Sequence, residues 1–480
     1  MLRSLVVAAL LGVSSVAAVK CTRSSHCPED SPCCSTYGEC GVGAYCLGGC
    51  DPTMSYSLDS CVPAPVCEDR KMKMDSVDRI TDIGKYFGDS SKADWVAQGE
   101  PVAFKDNVLL TMPKDSVGTL LSSTVYMWYG NVKARFKTSR GAGVITAFIL
   151  FSDVKDEIDY EFVGTELGDA QTNYYFQGIT NYENSENITL SDTFANFHDY
   201  EIRWTPDKIE WWVDGKLGRT LQKKDTWNST AKNFDYPQTP SRVQLSLWPG
   251  GKEGNAEGTV SWAGGPIDWD HPDIQKSGYY YATFSNVEIE CYNAKSGPGT
   301  NSGTSYYYKN ERGTSDSIVD GDKKHIIASL TSTGTDMDKG KKKKEDKDDK
   351  DDDKDKDKDD KDDKDDKDKD DDDDDDDEPA TIPGGSSGAP ANEHGEDKGS
   401  SSGGSSDSPS GNPEGDADDT EPADTTNCDT SSFNQDCASG SGKSSSSSSS
   451  DDSGKGSSAG SRNGASALAI IIASAALFWL

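Results

Sequence analysis

The segment Asp156-Glu157-Ile158-Asp159-Tyr160-Glu161-Phe162 alternates acidic and apolar residues at a period of two. A β-strand sends residues i, i+2 and i+4 to one face. Glu157, Asp159 and Glu161 therefore point one way, and Ile158, Tyr160 and Phe162 the other. Three carboxylates in a row repel one another, and an exposed strand gains more from mixed charge or threonine. Solubility alone does not call for such a row. A retaining glycosidase does, because it needs one carboxylate ionised to attack the sugar and a second kept protonated to release the leaving group. Strand geometry separates the outer Cα atoms by about 13 Å at ~3.3 Å per residue. Two glutamate side chains leaning inward across a concave sheet close most of that gap. Retaining enzymes hold their carboxyls about 5–5.5 Å apart and inverting ones roughly 6.5–9.5 Å, so the short spacing favours a covalent glycosyl-enzyme. The central Asp159 is placed to hydrogen-bond the nucleophile and hold the two pKa values apart. The plain alternative is a solvated acidic strand in an acidic protein.

Such a row needs a sheet to present it. Residues 122–290 read as many short strands: Thr124 to Gly130, Val132 to Lys137, Val144 to Phe151, the acidic strand, Thr172 to Phe176, Tyr200 to Trp204, Ile209 to Val213 before the turn Asp214-Gly215, Arg242 to Trp248, and Tyr280 to Glu290. Regular turns and little helical period predict an all-β, antiparallel jelly-roll sandwich with a concave substrate cleft. In Arg242 to Trp248 the apolar Val243, Leu245 and Leu247 face the core, which leaves Gln244, Ser246 and Trp248 on the cleft side. A Trp on an otherwise polar face is a sugar-stacking candidate, or else a packed surface Trp. Thr259 and Ser261 alternate with Val260 and Trp262 in the same strand-like way, and His198 reads as structural.

The ends carry addresses. Arg3, the apolar stretch Leu5 to Leu11, and Val16 and Ala18 fit a secretion signal cleaved after Ala18. That route is oxidising and permits disulfides. It also opens the sequons Asn187-Ile188-Thr189 and Asn228-Ser229-Thr230 to glycosylation. At the other end, Ser453 to Gly460 is small and polar and Ala465 to Leu480 is apolar, which reads as a glycolipid (GPI) anchor signal with Gly456, Ser457 or Asn463 as attachment residue. An ordinary membrane span is the alternative, but the tail falls short of ~20 residues and nothing basic follows it. Between the ends, the run from Lys339 to Glu378 is almost pure Lys and Asp. It cannot bury enough apolar surface to offset chain entropy, so a disordered, self-repelling stalk is expected. The formal net charge of −35 belongs largely to that stalk and argues against nucleic-acid binding. No cofactor and no dedicated metal site are expected, since loose Asp runs are not a shaped cage. The expected organisation is a signal peptide (1–18), a cysteine-rich module (19–67), a jelly-roll domain (68–295), a stalk (296–456) and an anchor signal (457–480).

Nine of the twelve cysteines fall between Cys21 and Cys67. So small a segment has little core and needs disulfides. Nine is odd, which makes Cys291 a natural partner for Cys61 or Cys67, while Cys428 and Cys437 can close a local loop. The stretch Cys33-Cys34-Ser35-Thr36-Tyr37-Gly38-Glu39-Cys40-Gly41, followed by Tyr45-Cys46, resembles the hevein-like chitin-binding module, carbohydrate-binding module family 18. The resemblance implies N-acetylglucosamine binding by Ser35, Tyr37 and Tyr45, with Glu39 where the family often has an aromatic. A disulfide cap without ligand is the alternative.

The strings SRGAGVITAFILFSDVKDEIDYEFVG, DAQTNYYFQG, FHDYEIRWTPDKIEWWVDG, YPQTPSRVQLSLWPGGKEGNAEGTVSWAGG and YYYATFSNVEIECY resemble glycoside hydrolase family 16, in its Crh branch of fungal cell-wall transglycosylases. The resemblance implies a β-jelly roll and a retaining mechanism, with Glu157 as nucleophile, Asp159 as assisting acid and Glu161 as acid/base. It places Glu161, Trp248 and Thr259 at sugar-binding positions, and Gln244 where relatives often carry a basic residue. The implied reaction cuts chitin and passes the new reducing end to β-glucan, at the cell wall or plasma membrane. A plain glucanase or chitinase using the same carboxylates, and a non-catalytic wall lectin, are the other readings; the intact acid triad argues against the lectin.

Overall fold

A computed structural model describes residues 19–341. The expected signal peptide, nearly all of the Lys/Asp tract, Cys428, Cys437 and the anchor signal lie outside the described residues. Two eight-stranded sheets form the sandwich. In the sheet that carries the acids the strands run, in spatial order, Glu186–Thr189, Asp169–Tyr175, Glu157–Val163, Val144–Ser152, Ser241–Pro249, Thr119–Met127, Trp95–Gln98 and Ile80–Asp82. The second sheet runs Lys216–Gln222, Lys208–Val213, His198–Trp204, Gly130–Lys137, Tyr279–Cys291, Asn107–Pro113 and Pro101–Phe104, with Arg70–Lys73 also paired to Tyr279–Cys291. All pairings are antiparallel except Ile80–Asp82 with Trp95–Gln98. The strands expected from period-two patterning are present, most within a few residues of their expected limits; the one expected over Thr124 to Gly130 runs instead from Thr119 to Met127, and Gly130 opens the next strand.

Alternation builds the core. Ile158, Tyr160 and Phe162 are at most 2% exposed, and they meet the facing sheet. Phe136 of that sheet sits among Phe148, Phe162, Tyr200 and Phe284 at centroid separations of 6.2, 5.4, 4.4 and 4.7 Å. Such aromatic pairs add about 0.5–1.5 kcal/mol each beyond the area they bury. Val144–Ser152 reads as one apolar run and is buried along its whole length, because its outward residues also lie under neighbours.

Five disulfides order the amino-terminal region: Cys21–Cys34, Cys27–Cys40, Cys33–Cys46, Cys50–Cys61 and Cys67–Cys291. Cys291 thus pairs with Cys67 and not with Cys61, tying the start of the sandwich to its last long strand.

The stalk begins later than residue 296. Ser305–Tyr308 pairs with Ile318–Gly321 on one side and with Ala64–Pro65 on the other, making a three-stranded sheet. Tyr306 is 2% exposed and packs edge-on against Trp128 at 5.6 Å. Further on, Ile327 joins the apolar cluster of the cysteine-rich head. Backbones meet closely there: Gly43 N–H donates to Ser332 O at 2.8 Å, and Gly334 N–H to Ser60 O at 2.8 Å. Gly43 has φ +62°, and a Cβ on it would stand 2.0 Å from Leu330 O, so no other residue fits. Glycine and serine content suggested a solvated stalk, but Tyr306, Ile318 and Ile327 supply enough apolar surface to dock.

A chain ending at residue 295 is expected to unfold at a lower temperature than one ending at 341. Each fully buried side chain removed is worth about 1.5–3 kcal/mol, and each kcal/mol shifts the midpoint roughly 2–4 °C at this domain size. Thermal unfolding of both chains checks this; equal midpoints would make residues 296–341 a passive tail.

Candidate active site

The acid row stands as alternation demands. Glu157, Asp159 and Glu161 share the outer face of Glu157–Val163, with Asp159 1% exposed and the two glutamates half-buried. Cross-strand pairing sets the neighbours of each. Glu157 lies between Phe151 and Tyr175, Asp159 between Ile149 and Asn173, and Glu161 between Ala147 and Gln171. One flank of the row is therefore the apolar strip Ala147, Ile149 and Phe151, and the other is polar.

The strand is pinned from beneath and at its entry. Trp211 Nε1–H donates to Asp159 O at 2.9 Å, and Tyr160 O–H to Trp212 O at 3.0 Å. The buried Asp156 carboxylate collects Gln177 N–H at 3.0 Å, Gln238 N–H at 2.9 Å, Thr239 N–H at 3.1 Å and the Thr239 hydroxyl at 2.7 Å. Gln177 and Gln238 are themselves held from residues 312–315: the Gln177 amide donates to Arg312 O and Gly313 O, and Gln238 Oε1 accepts from Ser315. The turn that delivers Glu157 is thus braced by the folded extension.

Crowding three acids away from water raises all their pKa values. Burial pushes Glu157 up to about 7, opposed by a hydrogen bond from Asp159 and by the Lys155 charge. Glu161 is pushed to about 8 by burial and by the Glu157 charge. Asp159 stands well above the carboxylate range, through burial first and then both glutamates. Neither Asp159 carboxylate oxygen has a donor among the described residues. All three acids are thus held toward the neutral form, and a double displacement on this face needs one carboxyl ionised and another protonated.

The other expected cleft residues divide. Gln244 shares the row of Asp159, two strands away across Ile149, and its Oε1 is buried without a partner among the described residues. Trp248 also faces outward but is 3% exposed, packed on Ile145, Val163 and Ala263. Thr259 is not on a strand: Glu257–Trp262 is a short α-helix, and Thr259 is 8% exposed within it. Polar–apolar alternation over four residues fits a helix turn as well as a strand, and Gly-rich flanks allowed the helix. The helix also changes which residue reaches the site. Trp262 stacks on Trp248 at 6.0 Å and donates Nε1–H to Gln171 Oε1 at 2.8 Å, beside Glu161. It is half-buried, so Trp262 and not Trp248 offers the open ring. Lys155 was also passed over. It precedes Glu157 by two residues, is half-buried with φ +67°, and its charge favours the Glu157 carboxylate. Its phase relative to Glu157 was the available signal. His198 is structural as expected, held between Ser191 Oγ at 3.0 Å and Asp214 Oδ2 at 2.7 Å.

The cysteine-rich head differs from its expected role. Ser35, Tyr37 and Tyr45 are 3%, 5% and 6% exposed. Tyr37 O–H donates to Gln98 Oε1 at 2.9 Å, and Tyr45 packs in one cluster with Tyr86, Val96 and Ile327. Val96 shares the outer face with Ser122 and Gln244, so the head sits on the outer face of the acid-bearing sheet and spends its tyrosines on that contact. Gly49 N–H reaches Asp153 Oδ1 at 2.9 Å, and Arg23 Nη2 donates to Gln177 Oε1 at 2.8 Å. The sequence shows the aromatics but not that a neighbouring sheet covers them. Cys21, Cys27 and Cys34 cluster closely enough to suggest a metal site, but all three are bound in disulfides.

Two outcomes follow from this geometry. A carboxyl with a raised folded-state pKa adds stability below its unfolded pKa and loses it as pH rises through the folded one. Asp159→Asn should therefore melt higher than the native chain at pH 7, with the gain shrinking toward about pH 4; a gain independent of pH would remove the buried acid as its cause. Tyr37→Ala and Tyr45→Ala should each cost about 3–5 kcal/mol of stability through lost packing, read as a lower melting midpoint, without changing retention on chitin. Weaker retention at unchanged stability would restore the head as a sugar-binding surface.

The glycosyl hydrolases family 16 profile matches residues 89–264. The chain is 64% identical over 332 residues to Crh-like protein 3 of Botryotinia fuckeliana (strain B05.10), covering 69% of this chain and 75% of that one. It is 54% identical to Crh-like protein 2 of Aspergillus fumigatus over 67% of this chain and 73% of that one. Among solved structures, a Crh5 transglycosylase in complex with NAG aligns at 26% identity with a TM-score of 0.45, over 56% of this chain and 99% of that one.

Proposed function

Because this chain belongs to the Crh-like branch of glycosyl hydrolase family 16, we propose that it is a retaining transglycosylase that cleaves chitin and passes the new reducing end to β-glucan, cross-linking wall polysaccharides. The observation that carries the reading is the acid row itself, with Glu157 and Glu161 on one outward strand face on either side of the buried Asp159.

The Glu157 carboxylate attacks the anomeric carbon as the glycosidic C–O bond breaks, and Glu161 delivers its proton to the departing oxygen. Asp159, neutral in the free enzyme, donates to Glu157 and orients it. Glu161, now ionised, takes the proton of the acceptor hydroxyl as that oxygen displaces Glu157. Hydrolysis follows the same path with water as acceptor. Transfer is supported by kinship with the Crh-like proteins. Trp262, supported from below by Trp248, provides a stacking ring next to Glu161. Five disulfides place folding in an oxidising compartment outside the cytosol. Anchoring by a glycolipid would hold the enzyme at the membrane face of the wall. Among the described residues, no helix is long and apolar enough to cross a membrane.

Incubated with chitin oligosaccharides and a fluorescent laminarin oligosaccharide, the enzyme is expected to give labelled products extended by N-acetylglucosamine units. Shortened chitin with an unchanged label would make it a hydrolase. Glu157→Gln and Glu161→Gln should each cut turnover by at least ~10³-fold while leaving the fold intact. With a donor whose leaving group needs no proton, Glu161→Ala should still form the glycosyl-enzyme and should lose the alkaline limb of the pH–rate profile, since that limb reports the acid. An unchanged limb would assign the acid elsewhere.

A further inference from the structure

The sequon Asn187-Ile188-Thr189 lies on Glu186–Thr189, the edge strand of the acid-bearing sheet. Its register is informative. Glu161 pairs with Gln171, and Gln171 with Asn187. Paired residues share a face, so Asn187 stands in the row of Glu161 on the outer face, two strands or about 10 Å away at ~4.8 Å per strand. Its neighbours confirm the direction. Ile188 turns the other way, packs against the core and overlies Gly218. Thr189 Oγ1, on Asn187's side, donates to Asp169 Oδ1 at 3.0 Å.

Asn187 is exposed, and its amide has no partner among the described residues. The second sequon differs. Asn228 donates Nδ2–H to Asp235 Oδ2 at 2.9 Å, and its Oδ1 accepts from the backbone N–H groups of Thr230 and Ala231 at 3.0 Å each. Its amide is engaged within its own hairpin, whereas that of Asn187 is free to be modified. The flanks of the outer face differ as well. The head covers the side of Trp95–Gln98, and the side of Glu186–Thr189 ends in a bare edge. An unpaired strand edge is an invitation to pair with another chain unless something bulky or charged covers it.

We propose that Asn187 carries an N-linked glycan that forms the rim of the cleft beside Glu161, shielding the sheet edge and limiting the girth of the polysaccharide that can lie across it. In the attachment step a lipid-pyrophosphate-linked oligosaccharide is the donor. The Asn187 Nδ2–C1 bond forms, the C1–O bond to pyrophosphate breaks, and the amide proton leaves with the lipid pyrophosphate. The attachment depends only on the exposed sequon and the oxidising route that the disulfides mark. The girth effect rests on the reading of the outer face as a carbohydrate cleft.

The test uses the full chain secreted from a fungal host. The mass of the peptide containing Asn187, before and after endoglycosidase, reads occupancy. Turnover is then compared for a short linear chitin and laminarin oligosaccharide pair and for chitin with a branched β-glucan polymer, counting every cleavage whether it ends in transfer or hydrolysis. Asn187 is expected to be occupied. Trimming the glycan, or Asn187→Gln, should raise turnover with the branched polymer several-fold while short-substrate turnover stays within about twofold. Thr189→Ser keeps the sequon and should keep the native ratio. An unoccupied Asn187 overturns the proposal, as does an occupied one whose removal leaves the ratio unchanged. Absence of cleavage in every form, despite an occupied Asn187, would overturn the carbohydrate-cleft reading and the girth effect with it, while the glycan itself would stand on its mass.

Discussion

Three carboxyl groups held on one strand face away from bulk water are the constraint on which the rest of this structure depends. Like charges so placed drive the strand apart unless protons are retained and the backbone is held from elsewhere. Both conditions are met. Burial raises the pKa of all three acids, and repulsion raises those of Asp159 and Glu161 further, which favours proton retention. The backbone is held by Ile158, Tyr160 and Phe162 in an aromatic core, by Trp211 on the Asp159 carbonyl, and by Asp156 at the strand's entry. The electrostatic cost of the site is offset by burial on the opposite face of the same residues, so chemistry and stability share one strand at a period of two.

The supports extend well past the sandwich. Asp156 takes its donors from Gln177 and the Gln238–Thr239 segment, and those glutamines are gripped in turn by residues 312–315. The head meets the same turn through Gly49 on Asp153 and Arg23 on Gln177. Head and extension are bound to each other through Ala64–Pro65 and the close glycine contacts. Together they form a collar around the turn that delivers Glu157. A hevein-like fragment that elsewhere offers its aromatics to a sugar here offers Tyr37 and Tyr45 to its own catalytic domain.

Much of this was readable in the chain. The acid row, its core-facing partners, the strand set and the outward placement of Gln244 and Trp248 follow from alternation, because a strand's two faces are a local property. Other features depended on contacts distant in sequence. Cys67 and not Cys61 reaches Cys291, because Arg70–Lys73 pairs with Tyr279–Cys291 and brings the neighbouring residues together. Thr259 and Trp262 changed roles because four alternating residues fit two geometries, and packing against Trp248 chose the helix. The extension past residue 296 looked like stalk because its few apolar residues gain only from docking.

By itself the sequence determined the placement of the acids. Residue type and a period of two suffice to put three acids on one face and an apolar set on the other, and no distant contact alters that. Only the tertiary structure decided what surrounds the acids: the open ring at Trp262, the sealed tyrosines of the head, the brace from residues 312–315 and the facing of Asn187. Those depend on which strands become neighbours and which surfaces lose their water. That is set by the free energy of the whole packed chain, and no short segment encodes it.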